Sequence, residues 1–464
     1  VPAFPTDGSI PAGLVLTASG TAGETLLGGE GPDRLIGSQS ADLLKGFGGS
    51  DCIVGGEGND SLEGGFGDDT LLGGGGNDSI VDFQGDNLID AGAGQDSVIA
   101  LSATGSECIV GGEGSDRIVA QGKRLVLEGG DGSDAILAMG FNGNNASPQW
   151  VDRGAVTIRG GDGDDKDWAQ VQVPGIGTNY YPTGLSARYF ADVLIQGDAG
   201  NDYLEALYIQ RARLEGGSGN DTIEGYVESQ NSNWAGSLRG GSWVIDGNEG
   251  DDSIRITGNP YREYGKYDLA LLGGDGRDTL VVEGYNYEAN NQIAYGGVTL
   301  QGGAGDDLLT ARGVLQLTYE GGDGQDTFVL SQNQITTQQK GTVDFARSYT
   351  STQSYVFGDT VAAQPLVIKD FLAGASGDRL DLQDLLANGL IGYGGGNPFA
   401  ANGFLALEQS GADVLLKLDA NGGGDSFITI AVLKNITLGN LVAQNFVPPL
   451  TQQTVGASQL PGGG

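Results

Sequence analysis

The chain of 464 residues contains no histidine. That absence excludes Ser-His-Asp hydrolysis, HExxH zinc proteolysis and imidazole metal sites together. Cysteine is scarce, with only Cys52 and Cys108, too few for a disulfide framework. No apolar run approaches the ~20 residues of a membrane-spanning helix, so membrane insertion is not expected. Basic residues are outnumbered, 23 against 60 acidic, for a net charge of −37. This charge disfavours nucleic acid and anionic membrane surfaces as partners. It also makes a compact chain repel itself unless cations neutralise it. The sequence begins at Val1 with no signal-peptide pattern, which reads as a processed product or a piece of a longer chain.

What is abundant is glycine, 86 residues with no G-X-Y period and only 13 prolines, which fits neither collagen nor an ordinary globular core. The glycines are ordered. Residues 55–81 read GGEGNDSLE-GGFGDDTLL-GGGGNDSIV, three copies of the unit G-G-x-G-x-D-x-U-x, where U is a large aliphatic residue. Units begin at 19, 28, 37, 46, 55, 64, 73, 82 and 91 without insertion. After a two-residue slip they resume at 102, 111, 120 and 129. Later copies begin at 160, 197, 216, 247, 273, 302 and 321, no longer nine residues apart.

The unit dictates a fold. Glycines permit a tight turn with close backbone approach. The x-U-x end is a short extended segment that turns U inward. Two units make one coil of turn, strand, turn and strand, and coils stack at ~4.8 Å as parallel strands. The expected architecture is all-β, a right-handed parallel β-roll or β-solenoid with a C-terminal β-rich cap. Each turn offers backbone carbonyls and one carboxylate, an oxygen set that suits Ca²⁺ better than Mg²⁺, which sheds its waters reluctantly.

Units alternate between two edges of the coil. One edge carries Glu24, Asp42, Asp60, Asp78, Asp96, Asp116 and Asp134. If each later interval is one coil, it continues through Asp165, Asp202, Asp221, Asp252, Asp278, Asp307 and Asp326. The other edge carries Asp33, Asp51 and Asp69, then departs from the pattern at Asn87, Glu107 and Leu125. The two-sided roll is therefore expected to become one-sided after about residue 90.

Aromatic- and Asn-rich insertions are expected to replace the lost edge, over roughly 138–159, 169–196, 225–246, 257–272 and 284–301. Trp150, Trp168, Trp234 and Trp243 lie in or beside them, with Tyr180, Tyr181, Tyr189, Tyr261, Tyr264, Tyr267, Tyr285, Tyr287 and Tyr295. Such loops either cover an open edge or form a contact surface for subunits or glycans. Cys52 and Cys108 fall three coils apart, ~14 Å at the strand spacing, beyond the ~7 Å that a disulfide can bridge. The domain reading is an extension or cap at 1–18, a two-sided roll at 19–137, a one-sided solenoid at 138–330, a linker at 331–357, a cap domain at 358–447 and a tail at 448–464. Asp419, Asn421, Gly423 and Asp425 read as part of a calcium loop or as a plain hairpin turn.

The nonapeptides resemble the RTX family of calcium-dependent secreted proteins. The C-terminal stretch, with IKDF at 368–371, GDRLDLQDLL at 377–386 and KLDANGGGD at 417–425, looks like the target domain of type I secretion substrates. The resemblance implies a calcium role for the sixth-position acids named above, contact with the type I secretion machinery, and folding outside the cell. The functional expectation is a secreted calcium-binding structural protein of a surface layer, filament or matrix, formed by self-assembly. The alternatives are a polysaccharide-binding module or adhesin fragment and, third, a calcium-dependent polysaccharide lyase using arginines such as Arg188, Arg211 and Arg255. No catalytic residue and no organic cofactor is assigned.

Overall fold

A computed structural model describes residues 13–102, 105–140, 154–166, 184–228, 241–259, 267–284, 295–312, 314, 316–331, 365–388, 393–400, 403–419, 422 and 427–448. The chain forms two compact units, Val1–Leu238 with Ile245–Asp252, and Arg239–Val244 with Ser253–Gly464.

In the first unit, successive strands alternate between two parallel sheets. One sheet aligns Leu35, Ile53, Leu71, Ile89, Ile109, Leu127, Ile158, Ile195 and Leu214 as pairing partners. The other aligns Leu44, Leu62, Ile80, Val98, Ile118, Ile136, Leu185, Leu204 and Ile223. These are the U residues and their equivalents, and all are buried. Each such side chain removed from water contributes ~1.5–3 kcal/mol, which sets the strands' facing. The rows run straight across the irregular intervals, so Leu127 pairs with Ile158 and Ile136 with Leu185. Cys52 aligns through Thr70 and Leu88 with Cys108, three strand spacings away, and both thiols are free.

The second unit is built the same way. One row runs Ile254, Leu280, Leu309, Phe328, Leu380 and Phe446. The other runs Leu271, Leu300, Tyr319, Ile368 and Leu433. The stretch around IKDF thus adds strands to both sheets, at Leu366–Ile368 and Arg379–Asp381. LDLQDLL gives the short helix Gln383–Asn388. An antiparallel meander follows, Leu405–Ser410 to Asp413–Leu418 to Ile428–Leu433, whose last strand pairs parallel with Leu366–Ile368.

The insertions differ from the expectation in two ways. Part of each proposed stretch is strand, with Ala155–Asp162, Asp192–Ala199, Gly241–Glu249, Tyr267–Asp275 and Tyr295–Ala304 reaching into them. Trp243 and Tyr267 are core, at 1% and 0% exposure, because strand alternation turns them inward. Residues 167–183 lie outside the described residues. Trp150, Trp168, Trp234, Tyr180, Tyr181, Tyr261, Tyr264, Tyr285 and Tyr287 lie outside the described residues.

Candidate metal centres

Each acid-bearing turn is shaped by its glycines. Gly56 and Gly58 take φ of 110° and 112°, the left-handed region open to glycine, and their counterparts repeat this along the chain. Phe47, Asp198 and Asn248 replace the second glycine of their units and still hold φ of 75°, 71° and 73°. The turn brings the sixth residue back over the first. It also lays each turn against the one a coil away.

The sixth-position acids form hydrogen-bonded ladders. In the first unit the amides of Glu24, Asp42, Asp60, Asp78, Asp96, Asp116, Asp134, Asp165, Asp202 and Asp221 each donate to Oδ1 of the next acid, ending at Asp252, at 2.6–2.9 Å. On the opposite edge Asp33 donates to Asp51, Asp51 to Asp69 and Asp69 to Asn87 Oδ1. In the second unit the Asp278 amide donates to Asp307, and that of Asp307 to Asp326.

One oxygen of each accepting carboxylate is therefore answered. In twelve of the acids the other is not. Oδ2 of Asp51, Asp60, Asp69, Asp78, Asp96, Asp116, Asp134, Asp165, Asp202, Asp221, Asp307 and Asp326 is buried without a hydrogen-bond partner. A buried, unanswered carboxylate oxygen is costly, and a native fold holds one only for a reason. The space around it supplies the reason. A Cβ added to Gly55 would lie 2.5 Å from Asp60 Oδ2 and 2.5 Å from the Gly73 carbonyl oxygen. At Gly129 the same point lies 2.2 Å from Asp134 Oδ2 and 2.6 Å from the Gly160 oxygen, and at Gly302 it lies 2.1 Å from Asp307 Oδ2 and 2.6 Å from the Gly321 oxygen. Each rung thus offers a cradle of one carboxylate and the next coil's carbonyl. Among the described residues no three acidic or thiol side chains gather on one point, so the other ligands must come from the backbone. An all-oxygen, irregular set with one charge per turn fits Ca²⁺.

Burial pushes the carboxyls above their usual range in the absence of an ion. Asp116 and Asp165 rise to about 8, and Asp78, Asp202 and Asp307 to about 7. Desolvation is the main cause, opposed by the amide bond and reinforced by the neighbouring acids.

The predicted residues are not all alike. Asp33 Oδ2 accepts from the Gly29 amide at 2.6 Å, and Asp42 Oδ2 from the Ser38 amide at 2.6 Å and Oγ at 2.9 Å. Glu24 is half-buried and accepts from the Ser19 amide. These first rungs already have donors. At the Asp96 rung Ala91 replaces the first glycine, so a methyl group stands at the cradle. Asp252 and Asp278 are buried at their expected turns. Of the partial loop, Asp419 is buried, while Asn421, Gly423 and Asp425 lie outside the described residues.

Three further acids were not legible from the period. Asp378 Oδ1 accepts from the Asp326 amide at 3.1 Å, 52 residues on, and so adds a rung from the C-terminal segment. Asp370 accepts from the amides of Gly321 and Gly322, both at 2.9 Å. The signal for Asp378 was present: Gly377-Asp378-Arg379-Leu380 matches Ser115-Asp116-Arg117-Ile118. The Asn445 amide then donates to the Asp378 carbonyl at 2.8 Å, placing a neutral side chain after the last acid. The third is Asp82, buried at the first position of a unit.

A family model for the RTX calcium-binding nonapeptide repeat matches the chain at residues 27–62, 63–98, 110–143, 151–166, 213–226 and 296–313. The turns at 197–202, 247–252, 273–278 and 321–326 carry the same rungs outside those matches. A search of curated proteins finds no significant match. Repeats of this family bind Ca²⁺ and are typical of secreted proteins. Among the described residues no helix is long and apolar enough to cross a membrane. The unanswered carboxylates, their glycine cradles and the matched repeats lead to one assignment: the chain is a parallel β-roll that carries RTX calcium-binding nonapeptide repeats.

Proposed function

We propose that this chain is a secreted structural protein that folds on calcium outside the cell and assembles into a surface layer, filament or matrix. The observation that carries this reading is the row of buried, unanswered Oδ2 atoms on the ladder acids. With calcium scarce, as in a cytosol, these carboxylates repel and glycine's conformational entropy opposes folding, so the chain stays extended and exportable. With calcium abundant, ions held by Asp51, Asp60, Asp69, Asp78, Asp96, Asp116, Asp134, Asp165, Asp202, Asp221, Asp252, Asp278, Asp307 and Asp326 supply positive charge between coils. Binding free energy then becomes folding free energy, about 2.7 kcal/mol per site at a hundredfold excess over Kd. The C-terminal stretch is the part offered to the type I secretion machinery. No catalytic step is assigned: the repeat is a structural unit and histidine is absent.

The test is electron microscopy and size-exclusion chromatography of the pure chain with millimolar calcium and with chelator. Ordered assemblies that form with calcium and disperse with chelator are expected. A chain that folds with calcium but stays monomeric overturns the building-block reading. Retention of that monomer on a polysaccharide column would put a polysaccharide-binding module in its place.

A further inference from the structure

The second acidic edge ends at an acid the repeat does not contain. Its turns at 28–33, 46–51 and 64–69 each begin with glycine, but the turn at 82–87 begins with Asp82 and ends with Asn87. Asp82 is fully buried, and Asp69 is 1% exposed.

The consequence shows in the cradle over Gly64. Over Gly28 the cradle is made by Asp33 Oδ2 at 2.6 Å and the Gly46 carbonyl oxygen at 2.8 Å from the Cβ point. Over Gly46 it is made by Asp51 Oδ2 at 2.2 Å and the Gly64 oxygen at 2.7 Å. Over Gly64 the nearest atoms are Asp82 Oδ2 at 2.0 Å and Asp69 Oδ2 at 2.5 Å. A second carboxylate has taken the place of the carbonyl. Its other oxygen is committed: Asp82 Oδ1 accepts from Asn87 Nδ2 at 2.9 Å and from the Gln84 amide at 3.1 Å. Asp69 Oδ1 likewise accepts from the Asp51 amide at 2.8 Å. The two Oδ2 atoms that converge are both buried and both without a donor. Glu107, one coil further on, adds another buried carboxyl nearby.

We propose that Asp69 and Asp82 form a two-carboxylate cation site, distinct from the repeat sites, that terminates the second edge. Two full charges replace one charge and a carbonyl dipole, so the site holds Ca²⁺ more tightly than its neighbours and favours trivalent ions still more. Asn87 belongs to the same device: its carbonyl oxygen takes the Asp69 amide while its amide group orients Asp82. Beyond this point the edge has Ser102 and Leu125, and no further acid-glycine pair.

The proposal rests on the calcium reading, and the test separates the two. Calcium bound per chain is counted by elemental analysis after equilibrium dialysis at limiting free calcium, and terbium binding is followed by its luminescence. Asp82→Ala leaves a first-position alanine like Ala91, whose carbonyl oxygen completes the cradle over Gly73 at 2.2 Å from the Cβ point, and Asp82→Gly restores the repeat itself. Both are expected to keep the ion with affinity reduced about tenfold or more at this site. Circular dichroism at saturating calcium shows that each variant is folded. If wild type binds calcium and both variants match it in count and affinity, Asp69 and Asp82 share a proton and the proposal fails. If wild type binds no calcium, the calcium reading itself fails.

Discussion

Two regions of the first unit solve the same problem differently. Coils between residues 28 and 81 carry ladder acids on both edges, so each coil presents carboxylates twice. Coils between 184 and 228 keep the acid ladder on one edge only. Their other edge is a short turn in which Tyr189 and Tyr208 hold φ of 66° and 61°. The two rings stack at 5.0 Å with an interplanar angle of 2°, and Tyr226 meets Tyr208 edge-on at 5.6 Å. Beneath them Phe190, Ile209 and Val227 are fully buried. One edge carries the acid ladder and the other is closed by apolar burial and ring contact. The strand register is the same in both, so the coil tolerates either kind of turn.

The largest effect expected from this difference is in calcium dependence. Hydrogen exchange at falling calcium should expose the amides of 28–81 before those of 184–228, because the former are expected to depend on ions at both edges. If 184–228 loses protection first, the tyrosine edge is not a substitute for the ions.

Acidity gives the next effect. The folded, ion-free carboxyls of Asp78, Asp116 and Asp165 rise to about 7 or 8, above the unfolded value, because burial disfavours their charge. The folded state therefore holds more protons than the unfolded state. Its ion-free stability is fully present below the unfolded carboxylate pKa and is lost as pH rises through the folded values. Chelated protein should show more β-structure by circular dichroism at pH 5 than at pH 8. Calcium affinity should rise over the same interval, since binding requires the ionised form. The opposite slope in chelated protein would mean that the acids are not buried when ion-free.

The smallest effect is at the aromatic edge. Tyr208→Ala should cost about 0.5–1.5 kcal/mol from the stack beyond lost burial, read as a lowered midpoint of calcium-saturated thermal unfolding, with the calcium count unchanged. A changed count would join the two edges into one system.

The nine-residue period made the strands, the two edges and most ladder acids legible, because each of those features repeats. The inward-facing U residues followed from the alternation alone. What escaped is what does not repeat. Trp243 and Tyr267 looked like loop aromatics because the glycine signature before them had lapsed, although their strands continue. Asp378 was separated from its ladder by 52 residues, and hydrogen bonding across coils ignores sequence distance. Asp82 broke the pattern at a glycine, and the meaning of that break lies in the neighbouring turn.

The ladder also has a direction. Within each unit the ladder amides point one way, each to the residue that follows, so the earliest acids are met by other donors. The Leu14 amide, ahead of the first unit, reaches Asp33 Oδ1 at 2.6 Å, and the Ser19 amide, at that unit's start, reaches Glu24 at 2.9 Å. Among the described residues this end presents no unanswered ladder carboxylate, and its outermost strand is the three-residue Val15–Thr17, too short to template much pairing. Here the described repeat carries its own selvedge.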